Sequence, residues 1–256
     1  MDQEIFSEQD WDEYARCYNA LLQLNPYQEL IADVLSSVLP REDDIILDAG
    51  CGTGNLLHAL RNKAQGAQLY GVDLSKSMLA FAKRACSQDR VDLLHASLDQ
   101  RLPFSDGMFT KITSVNVLYA VPRPEETLRE LYRVLQRGGM LVIESPKQGY
   151  DNGLVLKAHC NSTLPDSYWT KAHSSPERER ELVHAAITDP LLAEQMLKIA
   201  SHNRKIAQTS VFHFYQEAEF RELLNAAGFT LHDLVPAYAQ QGLLAVASKG
   251  EKDEKR

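Results

Sequence analysis

The sequence is short of cysteine and of positive charge, and each shortage excludes a class of protein. Its four cysteines, Cys17, Cys51, Cys86 and Cys160, are far apart and form no C-x-x-C pair. This argues against a disulfide framework and against a zinc site made from cysteine alone. The formal net charge is −8. Because binding to a phosphate backbone depends on clustered Lys and Arg, we expect no nucleic-acid partner.

Long apolar runs are also missing. No segment approaches the roughly 20 apolar residues that are needed to span a bilayer. The first residues, MDQEIFSEQDWDEY, lack the apolar stretch of a signal peptide. We therefore expect a cytoplasmic protein that does not associate with membranes. The chain of 256 residues suffices for one sizeable α/β domain, or for one domain with an inserted cap.

What is present is an alternation of apolar strands and amphipathic helices. The predicted strands of the first half are 45–47, 68–75, 91–96, 109–120 and 140–145. A helix that starts at Pro124 is expected to continue until Gly138 and Gly139 stop it. Such alternation is typical of a parallel sheet with helices on both faces.

The rhythm of strands and helices divides the chain into five predicted parts. Residues 146–209 contain no convincing strand, but Ser175-Pro176 and Asp189-Pro190 are typical helix starts. We predict an N-terminal helical cap, a cofactor-binding α/β core, a helical insertion over the substrate, a closing helix with two strands, and a solvated tail. Their ranges are 1–40, 41–145, 146–209, 210–249 and 250–256.

A glycine-rich loop follows the first predicted strand and opens a helix. Gly50, Gly52 and Gly54 lie on alternate residues, and Asp73 ends the second strand 23 residues after the first of them. Glycines let the backbone approach a ligand closely, and an acid at this offset can accept hydrogen bonds from ribose hydroxyls. The third glycine comes one residue earlier than in the dinucleotide fingerprint, and Asp48 suits a cationic ligand better than a pyrophosphate. The loop favours S-adenosylmethionine over NAD.

Five stretches together resemble the motifs of class I S-adenosylmethionine-dependent methyltransferases, in the small-molecule branch (methyltransferase type 11/25-like). They are LDAGCGTGN, GVDLSKSML, LPFSDGMFT, SVNVLYAVPRPEETLRELYRVLQRGG and NAAGF. The resemblance implies a Rossmann-like seven-stranded sheet of order 3-2-1-4-5-7-6 with an antiparallel strand 7. It also implies S-adenosylmethionine as cofactor and methyl transfer to an O, N or C atom of a small-molecule acceptor.

The same resemblance implies a set of cofactor-binding residues. Gly50, Cys51 and Gly52 would contact the methionine part, Asp73 the ribose and Leu74 the adenine. Either Ser97, with its neighbour Leu98, or Asp99 would stand beside the adenine amino group. Three further positions complete the set: Asp48 in the loop, Asn116 after the fourth strand, and Tyr14, which with Tyr18 would close over the cofactor.

The acceptor side of the site is less defined. In-line methyl transfer depends mainly on positioning, and a general base is required only when the acceptor atom is protonated. His159, His173 and Tyr119 are the candidates for catalysis. The four histidines of the insertion, which include His184 and His202, lack the i, i+4 spacing of a helical metal site, so no metal is expected. A non-catalytic S-adenosylmethionine-binding protein and an NAD-dependent oxidoreductase are the alternative readings.

Overall fold

Seven strands form one mixed sheet in the order β3-β2-β1-β4-β5-β7-β6. The computed structural model describes residues 14–86, 91–209 and 212–250, without the side chains of 206–209. The first five strands pair in parallel, and β7 is antiparallel to both β5 and β6. The predicted sheet order is therefore confirmed. The strands are β1 (Ile45–Ala49), β2 (Gln68–Asp73), β3 (Val91–His95), β4 (Phe109–Val115), β5 (Leu135–Pro146), β6 (Phe229–Ala237) and β7 (Gly242–Lys249).

Nine α-helices with both ends inside the described residues surround this sheet. They are α1 (Asn25–Val38), α2 (Asn55–Lys63), α3 (Lys76–Ala85), α4 (Pro124–Val134), α5 (Asn152–His159), α6 (Asp166–Trp169), α7 (Pro176–Ala186), α8 (Pro190–Thr209) and α9 (Glu217–Ala226). Both expected helix starts in the insertion are confirmed, since Ser175 caps α7 and Asp189 accepts a backbone N–H at the start of α8. None of the helices within the described ranges is long and apolar enough to cross a bilayer.

The sheet separates two apolar cores, because successive side chains of a strand point to opposite faces. Ile46 packs on one face in a cluster with Leu30 of α1 and Leu57 of α2. Leu47, the next residue, belongs to the other face and to a cluster with Leu128 of α4 and Phe220 of α9. The helices α5, α7 and α8 extend the first core above the sheet edge. The fold is thus doubly wound, as expected.

Two predicted boundaries in the core were wrong. The fourth strand ends at Val115 rather than at residue 120, because Asn116 adopts a left-handed backbone (φ +55°) that cannot continue a strand. Leu118–Ala120 then forms a 3-10 turn. The helix after Pro124 ends at Val134, and β5 begins at once with Leu135, so the two glycines lie inside the strand. Apolar patterning alone does not reveal such changes of backbone conformation.

The N-terminal and C-terminal predictions are tested only in part. Residues 14–18 are helical, Asn19–Gln23 is a 3-10 helix, and Leu24 is extended before α1 begins. A break in the helical backbone therefore falls just before Pro26, which occupies the first turn of α1. Residues 1–13 lie outside the described residues, as does all of the predicted tail except Gly250.

A glycine in α5 fixes how closely the helical segment packs. A Cβ atom added at Gly153 would lie 1.7 Å from the carbonyl oxygen of Trp169, which is itself buried. We expect Gly153→Ala to lower the free energy of unfolding by about 1–3 kcal/mol, because overpacking outweighs the gain in helix propensity. Urea unfolding of both proteins measures this. Gly250→Ala, which has no atom within 4 Å of the added Cβ, is the neutral control. A stabilised Gly153→Ala variant would contradict the packing.

Candidate functional site

A cavity of about 710 Å3 lies at the carboxyl ends of the parallel strands, where open α/β sheets bind their ligands. Its wall combines the glycine loop, the ends of β2 and β4, the N-terminal residues and the helical segment 146–209. Most of the residues predicted from sequence line it: Tyr14, Tyr18, Gly50, Gly52, Asp73, Leu74, Ser97, Leu98, Asn116, Tyr119 and His173. The structure thus brings together residues that are up to 159 positions apart, between Tyr14 and His173.

Two glycines of the loop have different surroundings. Gly50 has φ +81°, and an added Cβ would stand 2.3 Å from a methyl carbon of Val117. Its N–H donates to the carbonyl of Val72 at 2.8 Å, which ties the loop to β2. Gly52 faces the cavity instead, where the nearest atom to an added Cβ is 3.9 Å away on Tyr18. The space in front of Gly52 is therefore free for a ligand that touches the backbone.

Asp73 joins the loop to the start of α3. One carboxylate oxygen accepts the N–H of Gly52 at 2.8 Å, and the other accepts the N–H of Ser75 at 2.9 Å. Burial raises the pKa of Asp73, while these two backbone hydrogen bonds act to lower it. A carboxylate offers about four lone-pair positions. Two remain for hydroxyl groups of a ligand in the cavity.

Ser97 and Asp99 both line the cavity beyond the end of β3. The hydroxyl of Ser97 donates to the Asp99 carboxylate, which also forms an ion pair with Arg123 at 3.3 Å. The two residues predicted as alternatives for the adenine contact therefore form one connected polar group. Leu98 between them is buried and lines the same wall.

Three predicted residues are not brought to the cavity wall. Asp48 is buried beneath the loop and accepts the hydroxyl hydrogen of Thr113 at 2.8 Å. Burial raises the pKa of Asp48 to about 7, and the nearby charge of Asp73 adds to the effect. The Cys51 side chain is buried in the core of the first face. His159 ends α5, where its Nδ1 accepts the backbone N–H of Asn25 at 3.2 Å.

Sequence reasoning missed part of the acceptor side. Aromatic residues from three separate segments line the cavity together with a buried acid and its cation: Tyr150, Phe212, Phe214, Tyr238, Glu179 and Arg204. Glu179 lies in the charge-rich run PERERE, which is typical of a solvent-exposed helix face. Its burial therefore could not be predicted from the sequence. Trp169, by contrast, packs in the core and Tyr168 beside it, and neither lines the cavity.

A buried carboxyl group supports the end of β4. Glu144 of β5 is fully buried, and one of its oxygens accepts the backbone N–H of Asn116 at 3.2 Å. The other oxygen has no hydrogen-bond partner among the described residues. Burial raises the pKa of Glu144 to about 8. Glu144 thereby helps hold Asn116 in the left-handed conformation that ends the strand and turns this residue to the cavity.

Comparison with known proteins identifies a methyltransferase domain in the chain. A family model described as a methyltransferase domain matches residues 47–143. The demethylmenaquinone methyltransferase of Thermus thermophilus is 36% identical over 125 residues, which cover 47% of this chain and 56% of that relative. The chain thus spans little more than half the length of the relative that it matches.

Solved structures extend the likeness over most of the chain. One belongs to the complex between the Haloferax volcanii Trm112 methyltransferase activator and a methyltransferase; it has a TM-score of 0.65 at 18% identity and covers 94% of this chain and 98% of that one. The geranyl diphosphate C-methyltransferase of Streptomyces coelicolor, solved with Mg2+, geranyl diphosphate and S-adenosyl-L-homocysteine, has a TM-score of 0.57 at 15% identity. It covers 86% of this chain and 78% of that one. At these identities the likeness is one of fold.

The raised pKa of Glu144 predicts how stability depends on pH. A carboxyl group whose pKa is raised by folding binds its proton more tightly in the folded state, so stability falls as pH rises from about 4.3 toward 8. Each such group contributes a slope of up to about 1.4 kcal/mol per pH unit. We expect Glu144→Gln, which cannot ionise, to flatten the decline of unfolding free energy between these values. Part of the slope should persist, because burial also raises the pKa of Asp48.

Urea unfolding at a series of pH values measures this slope. The control is Glu29→Gln, which removes a carboxyl group of the same type from the exposed face of α1. That variant should keep the slope of the original chain. An equal slope for Glu144→Gln and the original chain would show that Glu144 is not buried as described.

Proposed function

The chain contains a class I S-adenosylmethionine-dependent methyltransferase domain, and from this premise we propose that it methylates a small, largely apolar acceptor. The acceptor would be enclosed between the sheet edge and the helical segment 146–209. One observation carries the proposal: a single cavity extends from the glycine loop and Asp73 to the aromatic and aliphatic side chains of that segment.

The cofactor of such domains is S-adenosylmethionine, and the residues at the loop end of the cavity fit it. Asp73 has unused lone pairs for the two ribose hydroxyls. The open space before Gly52 admits the methionine part. Leu74, which is 37% exposed, offers an apolar contact for the adenine. The cofactor supplies a methyl group that is already activated by a sulfonium, so no residue has to activate it.

The other end of the cavity favours an apolar acceptor. It is lined by aliphatic side chains of three helices, such as Leu156, Met196 and Ile199, and by tyrosine and phenylalanine rings. A largely apolar pocket with a small number of placed polar groups is typical of small-molecule sites. Covering the strand ends also excludes water, which strengthens the electrostatic interactions inside.

These residues would act chiefly by positioning. Holding an acceptor atom in line with the transferred methyl group can contribute on the order of 7–11 kcal/mol. Asn116, fixed by Glu144, and Tyr119 stand where the cofactor end meets the acceptor end. Burial raises the pKa of Tyr119 far above its usual value, so its phenol stays protonated and can donate a hydrogen bond. The cytoplasmic location stays a prediction.

The two alternative readings lose support. The matching family model describes a methyltransferase domain, so no observation favours the hypothesis of an NAD-dependent oxidoreductase. A protein that only binds the cofactor would not require an acceptor compartment that continues beyond the loop.

Binding of S-adenosylhomocysteine tests the cofactor end. We expect Asp73→Asn to weaken its affinity at least about tenfold, because each hydrogen bond to a charged group contributes about 1.5–3 kcal/mol. Isothermal titration calorimetry measures the change. Asp92→Asn removes the same charge from an exposed position on the neighbouring strand β3 and should bind normally. Equal affinities for all three proteins would mean that the ribose is held elsewhere.

Turnover tests the acceptor end. We expect the chain, incubated with S-adenosylmethionine and a panel of small apolar phenols, amines and ketones, to release S-adenosylhomocysteine together with a methylated panel member. Mass spectrometry identifies both products. Transfer RNA and a denatured protein mixture are the comparison acceptors, and neither should be methylated. Methylation of either polymer without any small-molecule product would contradict the proposal.

A further inference from the structure

A cluster of charged and titratable side chains forms part of the cavity wall in the helical segment. Glu179 of α7 is 2% exposed, and Arg204 of α8 forms an ion pair with it. Nδ1 of His173 lies 3.6 Å from a carboxylate oxygen of the same Glu179. All three residues line the cavity. A carboxylate buried so deeply requires compensation, and Arg204 supplies it.

The turn that carries His173 is fixed from a second direction. Asp151, at the start of α5, accepts the backbone N–H groups of Lys171 at 2.5 Å and of Ala172 at 3.3 Å. The same side chain caps α5 through the N–H of Gly153 at 2.9 Å. Asp151 thus holds the backbone of the turn, while Glu179 faces the ring. Asp151 therefore fixes only the backbone that carries the imidazole, and Glu179 is the carboxylate beside the ring.

The surroundings of His173 favour one neutral tautomer. Partial burial lowers the pKa of His173, the charge of Asp151 raises it and the charge of Arg204 lowers it. The net direction is downward, so the ring is neutral at neutral pH. A carboxylate facing Nδ1 favours the tautomer that carries its hydrogen there, as in other histidine–carboxylate pairs. Nε2 is then left as a hydrogen-bond acceptor.

A row of aromatic rings forms another part of the same wall. Tyr119 and Phe214 lie 6.0 Å apart with an interplanar angle of 19°, and Phe214 and Tyr150 lie 6.2 Å apart at 5°. Tyr150 and Tyr238 continue the row at 6.4 Å and 19°. All four rings line the cavity. The stacked rings give this side of the cavity an aromatic, apolar lining, which favours an aromatic ligand.

We propose that the acceptor is an aromatic hydroxyl compound and that Nε2 of His173 is the general base that takes its proton. This inference rests on the proposed function. The acceptor oxygen forms a bond to the methyl carbon as the carbon–sulfur bond breaks. The bonding electron pair leaves with sulfur, and the hydroxyl proton passes to Nε2. Glu179, as a positioning residue, then faces the resulting imidazolium.

The chemistry of phenols explains why a base is required. A phenol has a pKa near 10 and stays protonated at neutral pH, and a positioned base contributes about 10²–10⁴-fold to such a reaction. Other acids of the cavity are already engaged: Asp73 holds two backbone N–H groups, and Asp99 pairs with Arg123. Among the described residues that line the cavity, His173 is the only histidine.

The protonation state of His173 can be measured without any acceptor. Nitrogen-15 spectra of the full chain with S-adenosylhomocysteine report the tautomer of each histidine, and loss of one signal in His173→Asn or His173→Gln assigns it. We expect a neutral ring with hydrogen on Nδ1, and a shift toward the other tautomer in Glu179→Gln. A ring that is protonated at neutral pH, or that carries its hydrogen on Nε2, would overturn the proposal.

Methyl transfer to two phenols provides the second test. We expect His173→Asn to reduce kcat at least about 100-fold with 2-naphthol but to match the original chain with 4-nitrophenol, which ionises without help. The loss with 2-naphthol should shrink as pH approaches the range in which that phenol ionises. His184→Asn, on the exposed face of α7, should behave like the original chain with both acceptors. An equal loss with both phenols would assign His173 a merely structural role.

Failure of this inference is distinguishable from failure of the proposed function. If the chain does not bind S-adenosylhomocysteine, the proposed function fails. If it binds the cofactor and methylates 2-naphthylamine, but His173→Asn is as active as the original chain with every acceptor, only the role of His173 fails. If the chain methylates 2-naphthylamine but turns over neither phenol, the proposed function stands and the aromatic hydroxyl acceptor is ruled out.

Discussion

Two hydrogen bonds to one carboxylate set the geometry on which the site depends. Asp73, at the end of β2, accepts the N–H of Gly52 from the loop after β1 and the N–H of Ser75 from the start of α3. These bonds fix the loop backbone against the second strand before any ligand arrives. They also oppose the effect of burial on the pKa of Asp73. A pre-organised loop spares the ligand part of the cost of ordering its site.

That the residues around the glycine loop meet at one cavity could be predicted from the sequence, because they are close together in the chain. A strand, a glycine loop, a helix and an acid at the end of the next strand occur within 30 residues, and parallel strands bring their carboxyl ends to one edge. Tyr14 and Tyr18 also line the cavity. Asp48 shows the limit of such reasoning. It is adjacent to the loop in sequence, but its carboxylate is buried and accepts a hydrogen bond from the hydroxyl of Thr113.

The acceptor end could not be predicted because it depends on packing between distant segments. Tyr119, Tyr150 and Phe214 form a row only after β4, the start of the helical segment and the chain before α9 have met. The sequence around Glu179 predicts an exposed side chain. In the structure α8 covers Glu179, and Arg204 of that helix forms an ion pair with it. Asn116 ends β4 through a backbone conformation that an apolar pattern does not encode. Each of these features follows from tertiary contacts rather than from periodicity.

A crystal structure of the chain with S-adenosylhomocysteine tests the central claim most directly. We expect both ribose hydroxyls within hydrogen-bond distance of the Asp73 carboxylate, with the amino-acid part along the backbone of Gly52. We also expect the sulfur to face the compartment bounded by Asn116 and Tyr119. Density for the ligand at any other place, or an Asp73 carboxylate that has left Gly52 and Ser75 without touching the ribose, would contradict this claim.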